Sequence, residues 1–353
     1  MNDHLLSLGF VKSLSESTLY IKKNGADLTI VSIYVDDLLI TGSKQELIDC
    51  FKAEMFKEFE MTDLGLMSYF LGLEVRQRKN EIFINQSKYA KEILKKFHME
   101  GCKPVDTPMQ PRVKFYKDDG AVKVNENHYR SLLGCLMYLS ASRPDIMHAV
   151  GLLSRFMHCA SEEYLQAAKR VMRYIKGTID FGVKYVCCPN FKLVGFSDSD
   201  WAGSVDDMKS TTGFCFNFGS GAINWCSRKQ EIIAQSTAEA EFVAAAAATN
   251  HALWLRKILK DLNEEQVEPT SIFVDNQVAI SISSNPVFHG KTKHFKIKFY
   301  FIREIQKEGE VLLVYCRAED QIADGFTKAL PKAKFADSTN KMGVCSIKDK
   351  EEC

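Results

Sequence analysis

The chain has 353 residues, enough for two or three domains at roughly 150 residues each. Hydrophobic residues make up 46%, aromatics 11% and charged residues 26%, which excludes collagen-like, mucin-like and wholly disordered chains. Lys+Arg number 46 against 45 Asp+Glu, so the molecule as a whole has no basic field, yet residues 111–190 carry 12 cations against 7 acids, a local +5 between two segments of −2.

The opening residues read as a helix end, followed by a strand at Thr18 to Lys22 and a turn at Lys23 to Asp27. Leu28 to Thr41 forms two apolar runs meeting at Asp36-Asp37, a hairpin. Ser43 is placed to cap a helix that continues towards Phe59. Strands at Leu71 to Arg76 and Ile82 to Asn85 flank a turn at Lys79-Asn80, and a helix covers Ser87 to Phe97. Residues 101–127, with Pro104, Pro108 and Pro111, read as a linker. From Tyr129 to Lys176 the apolar positions recur at helical spacing, broken at Pro144 and near Cys159, and the last helix gathers Lys169, Arg170, Arg173 and Lys176.

After Pro189 the pattern changes. Strands at Lys192 to Phe196, Gly213 to Phe218 and Ala222 to Cys226 precede a long Ala-rich helix from about Thr237 to Asp261. The strand Ser271 to Val274, a helix from Gln277, the strand Val311 to Tyr315 and a helix near Gln321 to Ala329 follow. This β-β-β-α-β-α-β-α order implies one mixed sheet flanked by helices.

Eleven cysteines, an odd number without any CxxC pair, read as free thiols of a reducing compartment. The start, MNDHLLSLGF, has an acid where a signal peptide needs basic charge, and no apolar run reaches the roughly 18 residues of a membrane span. The expectation is an intracellular protein, cytoplasmic or nuclear, that is not secreted and has no membrane partner.

Two carboxylate groups carry the chemistry. Asp36 and Asp37 sit at the end of an apolar hairpin, where adjacent carboxylates repel unless a cation neutralises them; the bland alternative is an ordinary turn. The second group, Asp198, Glu239, Asp275 and Asp324, lies at the ends of separate elements, where each acid alone would be read as a cap or as solvated surface.

Tyr34-Val35-Asp36-Asp37 resembles the catalytic hairpin of reverse transcriptases, the copia type of LTR retrotransposon most closely. The resemblance continues through Asp63-Leu64-Gly65, Tyr69 to Glu74, Thr107-Pro108-Met109 and Arg143-Pro144-Asp145-Ile146. The second group resembles the Asp-Glu-Asp-Asp site of ribonuclease H, in the segments Asp198 to Gly203, Ser236 to Phe242, Val274-Asp275-Asn276 and Gln321 to Lys328. Asp200 and Glu241 are the neighbouring carboxylates most easily confused with Asp198 and Glu239.

The resemblance implies an α/β chain, α+β overall: a truncated reverse transcriptase palm with following elements (1–110), a linker and helical thumb or connection (111–190), a ribonuclease H-like mixed five-stranded sheet flanked by helices (191–331), and a C-terminal tail (332–353). It further implies hydrolysis of RNA in RNA-DNA hybrids with two Mg²⁺, or Mn²⁺ in their place, held by Asp198, Glu239, Asp275 and Asp324. Hard carboxylate oxygens suit Mg²⁺ better than His or Cys would.

The segment 291–303 contains Lys291, Lys293, Lys296, Lys298 and Arg303 with His294 and no acid. It reads either as a solvated basic face or as a phosphate track. The resemblance, carried here by Asn285 to His289 and Lys293-His294, implies a place beside the site, with His294 assisting product release. The resemblance implies a His, the usual residue of the family, where this chain has Tyr300. Lys169, Arg170 and Arg173 add a second basic surface for hybrid or single-stranded nucleic acid. Only 33 residues precede Tyr34, too few for the palm's further aspartate or for fingers, so polymerase activity is expected to need a missing N-terminal Pol region or a second copy. The rival readings are a nucleic-acid-binding chain without catalysis and a decayed transposon fragment.

Overall fold

The computed structural model describes residues 1–188, 191–284 and 296–348. The chain divides into two compact units, residues 1–67 with 251–268, and residues 68–250 with 269–353. Each is described by itself.

In the first unit, α1 (Asn2–Ser7) leads into an antiparallel sheet, β1 (Val11–Lys12), β2 (Leu19–Asn24), β3 (Asp27–Tyr34) and β4 (Asp37–Gly42), followed by α2 (Gln45–Glu58). Leu5, Phe10, Tyr20, Val31, Phe51 and Met55 form its core. The expected hairpin is present: Tyr34 pairs with Asp37, leaving Val35-Asp36 as a two-residue turn. Val35 holds φ of 55°, a left-handed value that β-branched residues seldom adopt. Ser43 does not cap α2. The helix starts after Lys44, and the Ser43 hydroxyl instead accepts from the Leu28 N–H at 3.1 Å.

The second unit opens with β5 (Tyr69–Phe70), β6 (Leu73–Arg78), β7 (Glu81–Asn85) and α3 (Ser87–Lys96). Helices α4 (Glu126–Leu139), α5 (Met147–Ser154) and α6 (Glu162–Gly177) share one core with α3, built on Leu94, Tyr129, Leu133, Leu136, Val150, Tyr164 and Ile175. The break at Pro144 is a single 3-10 turn, Pro144–Ile146. β8 (Phe181–Val186) follows.

The expected mixed sheet is then formed by β9 (Leu193–Ser199), β10 (Thr211–Phe218), β11 (Gly221–Lys229), β12 (Thr270–Val274) and β13 (Val311–Tyr315), with α7 (Thr237–Asp261), α8 (Gln277–Ser284) and α9 (Lys296–Lys307) between strands. Its order is β11-β10-β9-β12-β13: an antiparallel meander, then two strands parallel to β9. Parallel pairing places the C-terminal ends of β9 and β12 side by side, so residues just beyond them share one edge of the sheet.

The helix expected over Gln321 to Ala329 is a 3-10 turn, Ile322–Phe326. Residues 332–348, expected as a tail, form α10 (Lys332–Lys341) and β14 (Val344–Ser346). β14 pairs with β8 and closes a third sheet, ordered β14-β8-β7-β6-β5. The ten described cysteines are free, and among the described residues no helix is long and apolar enough to cross a membrane.

Candidate active site

The site begins with β9, which carries Asp198 near its end, the residue 2% exposed. Asp275 follows the last residue of β12 directly. From α7 comes Glu241, 6% exposed. Ligand atoms of these three carboxylates lie within 4.8 Å of one another, and among the described residues they are the one group of three or more potential metal ligands.

Glu239 takes a different place. Its Oε2 accepts from the Gln235 N–H at 2.9 Å, while its own N–H donates to the Ser236 hydroxyl at 3.3 Å. Ser236 thus caps the start of α7 through the Glu239 N–H, and the Glu239 carboxylate reaches back to the residue before the cap. Residues two apart on a helix point about 200° from each other, so Glu239 and Glu241 cannot both face β9.

Asp324 sits in the turn after β13, 1% exposed. Gln321 fixes that turn: its Oε1 accepts from Ala323 N–H at 3.1 Å, and its Nε2 donates to the Ser197 carbonyl at 3.0 Å and the Phe273 carbonyl at 3.3 Å. One amide therefore ties the turn to both strands that carry Asp198 and Asp275. Lys328 Nζ stands 2.6 Å from Asp324 Oδ1 and 4.0 Å from Asp198 Oδ2, and Lys334 pairs with the other Asp324 oxygen. Thr327 donates its hydroxyl to Asp198. Gly213, opposite Asp198 on β10, makes room for this: a Cβ there would lie 2.7 Å from Thr327 Cγ2 and 2.8 Å from Phe326 Cβ.

Burial raises the affinity of these acids for protons. Asp198 is pushed up first by burial and then by Asp324 and Asp275, against the opposing pull of Lys328. Glu241 is raised by burial, then by Asp198 and Asp275, and Asp275 by burial, then by Asp324. Glu241 Oε2 is buried with no hydrogen-bond partner among the described residues. Three crowded oxygen donors, one of them unpartnered, fit a hard divalent cation, which would supply the missing charge and coordination.

Asp200 is a structural acid. Its Oδ1 accepts from the Thr211 N–H, and Gly203 leaves space for its Oδ2, which lies 1.7 Å from where a Cβ would be. Asp36 and Asp37 are exposed at the hairpin, and among the described residues no third ligand joins them.

The basic residues fall into three sets. Arg170 donates to Thr107 Oγ1 at 3.0 Å and Arg173 to the Lys103 carbonyl at 2.8 Å, so both hold the linker against α6, while Lys169 is exposed. Lys298 is exposed and Arg303 half-buried on α9, where Lys296 is the first residue. Lys291, Lys293 and His294 lie outside the described residues. Gln321, Thr327 and Lys328 belong to the segment Gln321 to Lys328 that carries the resemblance, but the sequence assigns them no role there, and Lys334 lies outside that segment.

The family model described as "Reverse transcriptase (RNA-dependent DNA polymerase)" matches residues 1–111. The Retrovirus-related Pol polyprotein from transposon RE1 of Arabidopsis thaliana is 35% identical over 347 residues, 98% of this chain and 24% of its own length. The Retrovirus-related Pol polyprotein from transposon TNT 1-94 of Nicotiana tabacum is 35% identical over 336 residues, 92% of this chain and 25% of its own length. The chain belongs to the Pol polyprotein family of copia-type retrotransposons.

This Pol chain spans about a quarter of the length of those relatives. The crystal structure of LC11-RNase H1 in complex with an RNA/DNA hybrid is also similar, with a TM-score of 0.30 and 16% identity, covering 38% of this chain and 94% of that one.

Proposed function

We propose that this Pol chain hydrolyses the RNA strand of RNA-DNA hybrids with the help of a divalent cation, Mg²⁺ being the best suited. The observation that carries this reading is the convergence of Asp198, Glu241 and Asp275 within 4.8 Å at the edge of a mixed sheet. A cation held there would polarise the phosphodiester and offset the charge gathering on it. The chain's own residues do the remaining work. Thr327 orients Asp198, Gln321 sets the turn bearing Asp324, and exposed Lys298 is available to hold backbone phosphate electrostatically.

Relative to the sequence expectation, Glu241 replaces Glu239 as the proposed ligand from α7, because Glu239 is engaged at the helix start. Hybrid would be recognised by shape, phosphates and the 2′-hydroxyl. Strand synthesis is a separate matter: Asp36 and Asp37 are joined by no third ligand among the described residues, and we assign the activity of this chain to the second site.

The test is hydrolysis of a labelled RNA strand in an RNA-DNA hybrid with Mg²⁺, comparing wild type with Asp275→Asn. Cleavage lost in the variant supports the reading. Retarded migration of hybrid without cleavage by either folded protein would replace it with a binding role.

A further inference from the structure

Trp201 lies three residues past Asp198 and is 52% exposed, yet its position is fixed. Its indole Nε1–H donates to the Ala234 carbonyl at 3.1 Å. That bond joins the segment leaving β9 to the one entering α7, the two elements that supply Asp198 and Glu241. The residues on either side are tied down as well. Asp200 accepts from the Thr211 N–H, and Ala202, left-handed at φ of 52°, donates its N–H to the Ser210 hydroxyl at 3.1 Å. An indole whose one donor is already bonded and whose ring is still half open to water offers a rigid apolar face. Ile233, the residue before the acceptor, adds a second exposed apolar side chain.

The acids of the same segment are engaged elsewhere. Asp206 accepts from the Lys117 N–H at 2.9 Å, and Asp207 is paired with Lys229 at 2.6 Å. Ring and alkyl surface thus stands next in the chain to the carboxylates that would hold a cation at a phosphodiester. A duplex offers matching apolar surface close to its phosphates where sugar rings line a groove. The A-like minor groove of a hybrid is wide and shallow and brings ribose faces within reach, whereas the narrow minor groove of B-form DNA shuts out a fused ring system.

Resting on the hybrid-cleavage reading above, we propose that Trp201 is a substrate-contact residue that packs its ring face against ribose in the minor groove of the hybrid. This contact favours hybrid over DNA duplex. Because the indole is held before substrate arrives, little side-chain freedom is lost on binding, and the contact bears on affinity rather than on the chemical step.

Binding is read with Ca²⁺ in place of Mg²⁺, by quenching of tryptophan fluorescence and by anisotropy of end-labelled hybrid, DNA duplex and single-stranded RNA. Hybrid should quench wild type and leave Trp201→Phe unquenched. Trp201→Ala should bind hybrid about tenfold more weakly, with its affinity for DNA duplex changed less than about twofold. With Mg²⁺ the same variant should show KM raised about tenfold and kcat within about threefold of wild type, a split that a merely structural role would not give. Should Trp201→Ala not fold by circular dichroism, the quenching comparison with Trp201→Phe carries the test alone. Quenching retained in Trp201→Phe, or hybrid affinity unchanged in Trp201→Ala, overturns the proposal. So does single-stranded RNA bound more tightly than hybrid and weakened as much by the alanine. Hybrid that binds and quenches Trp201 but is not cut in Mg²⁺ removes the cleavage reading and leaves the contact standing; no hybrid bound by folded wild type removes both.

Discussion

Arg143 and Asp145 clasp each other across one proline: Nε lies 2.9 Å from Oδ1 and the terminal nitrogen NH2 2.6 Å from Oδ2, with both side chains almost wholly out of water. The remaining capacity is filled by the Thr178 carbonyl, which accepts from Arg143 at 2.8 Å, and by Tyr174, whose hydroxyl donates to Asp145 at 2.7 Å. A buried ion pair with all its lone pairs engaged is tolerated, but one partner left alone is not. Asp145→Ala should therefore cost about 3 to 5 kcal/mol in urea unfolding, whereas Tyr174→Phe should cost about 1 kcal/mol. A loss under 1 kcal/mol in the alanine variant would mean that Arg143 finds water or another acceptor.

The two glutamates of α7 separate cleanly. Glu241→Gln should lower hybrid cleavage by more than about 100-fold, beyond what outer-sphere changes usually do. Glu239→Ala should leave cleavage within a few-fold and remove about 1 kcal/mol of stability, the cost of a lost helix cap. Steady-state cleavage and thermal melting on the same two samples decide it; a reversed pattern returns Glu239 to the site.

Val35 is 80% exposed and strained at φ of 55°. Asn tolerates the left-handed region where a β-branched residue does not, and no buried surface is lost by the change. Val35→Asn should raise stability by about 1 kcal/mol, seen as a later urea midpoint. An earlier midpoint would show that the valine has contacts that outweigh its strain.

His148, on α5, is buried, and its Nδ1 lies 3.2 Å from the Phe326 carbonyl. Burial, aided by Arg155, pushes its pKa down from 6.5 to about 4. Because the unfolded chain takes up a proton at higher pH than the folded one, the stability from neutral His148 is complete above about pH 6.5. It is lost as pH falls towards 4, by at most about 3 kcal/mol. Unfolding free energies at pH 7 and pH 4.5 should differ less in His148→Gln than in wild type; equal differences would remove His148 from the acid response.

The parts of the fold that sequence makes legible are those with a strong local period. The hairpin around Asp36, the helices between Tyr129 and Lys176 and the five strands of the mixed sheet follow from apolar alternation or helical spacing. β14 escapes because three residues carry no period and its pairing with β8 is set by chain folding over 160 positions. At the site, Asp198 and Asp275 are legible because they terminate parallel neighbours. Choosing between Glu239 and Glu241 needs the helix phase, although Ser236-x-x-Glu239 already spells a cap. Lys328 and Lys334 escape as ordinary surface cations, since nothing in their spacing says that both turn onto one acid.

The strand order β14-β8-β7-β6-β5 has an implication for modularity. A boundary drawn after residue 331 would cut away Lys334, Phe335 of the helical core and the strand on β8, so a piece spanning 191–331 would leave an open sheet edge behind and an undersupported turn ahead. Recombination between elements could exchange the mixed sheet intact only by carrying the preceding helices and the final strand along with it. The helices and the final strand are stitched to the mixed sheet as one inheritable block, and chimaeras joined between 190 and 191 are expected to be recovered less often than those that keep β8 with β14 and Phe335 with the helical core.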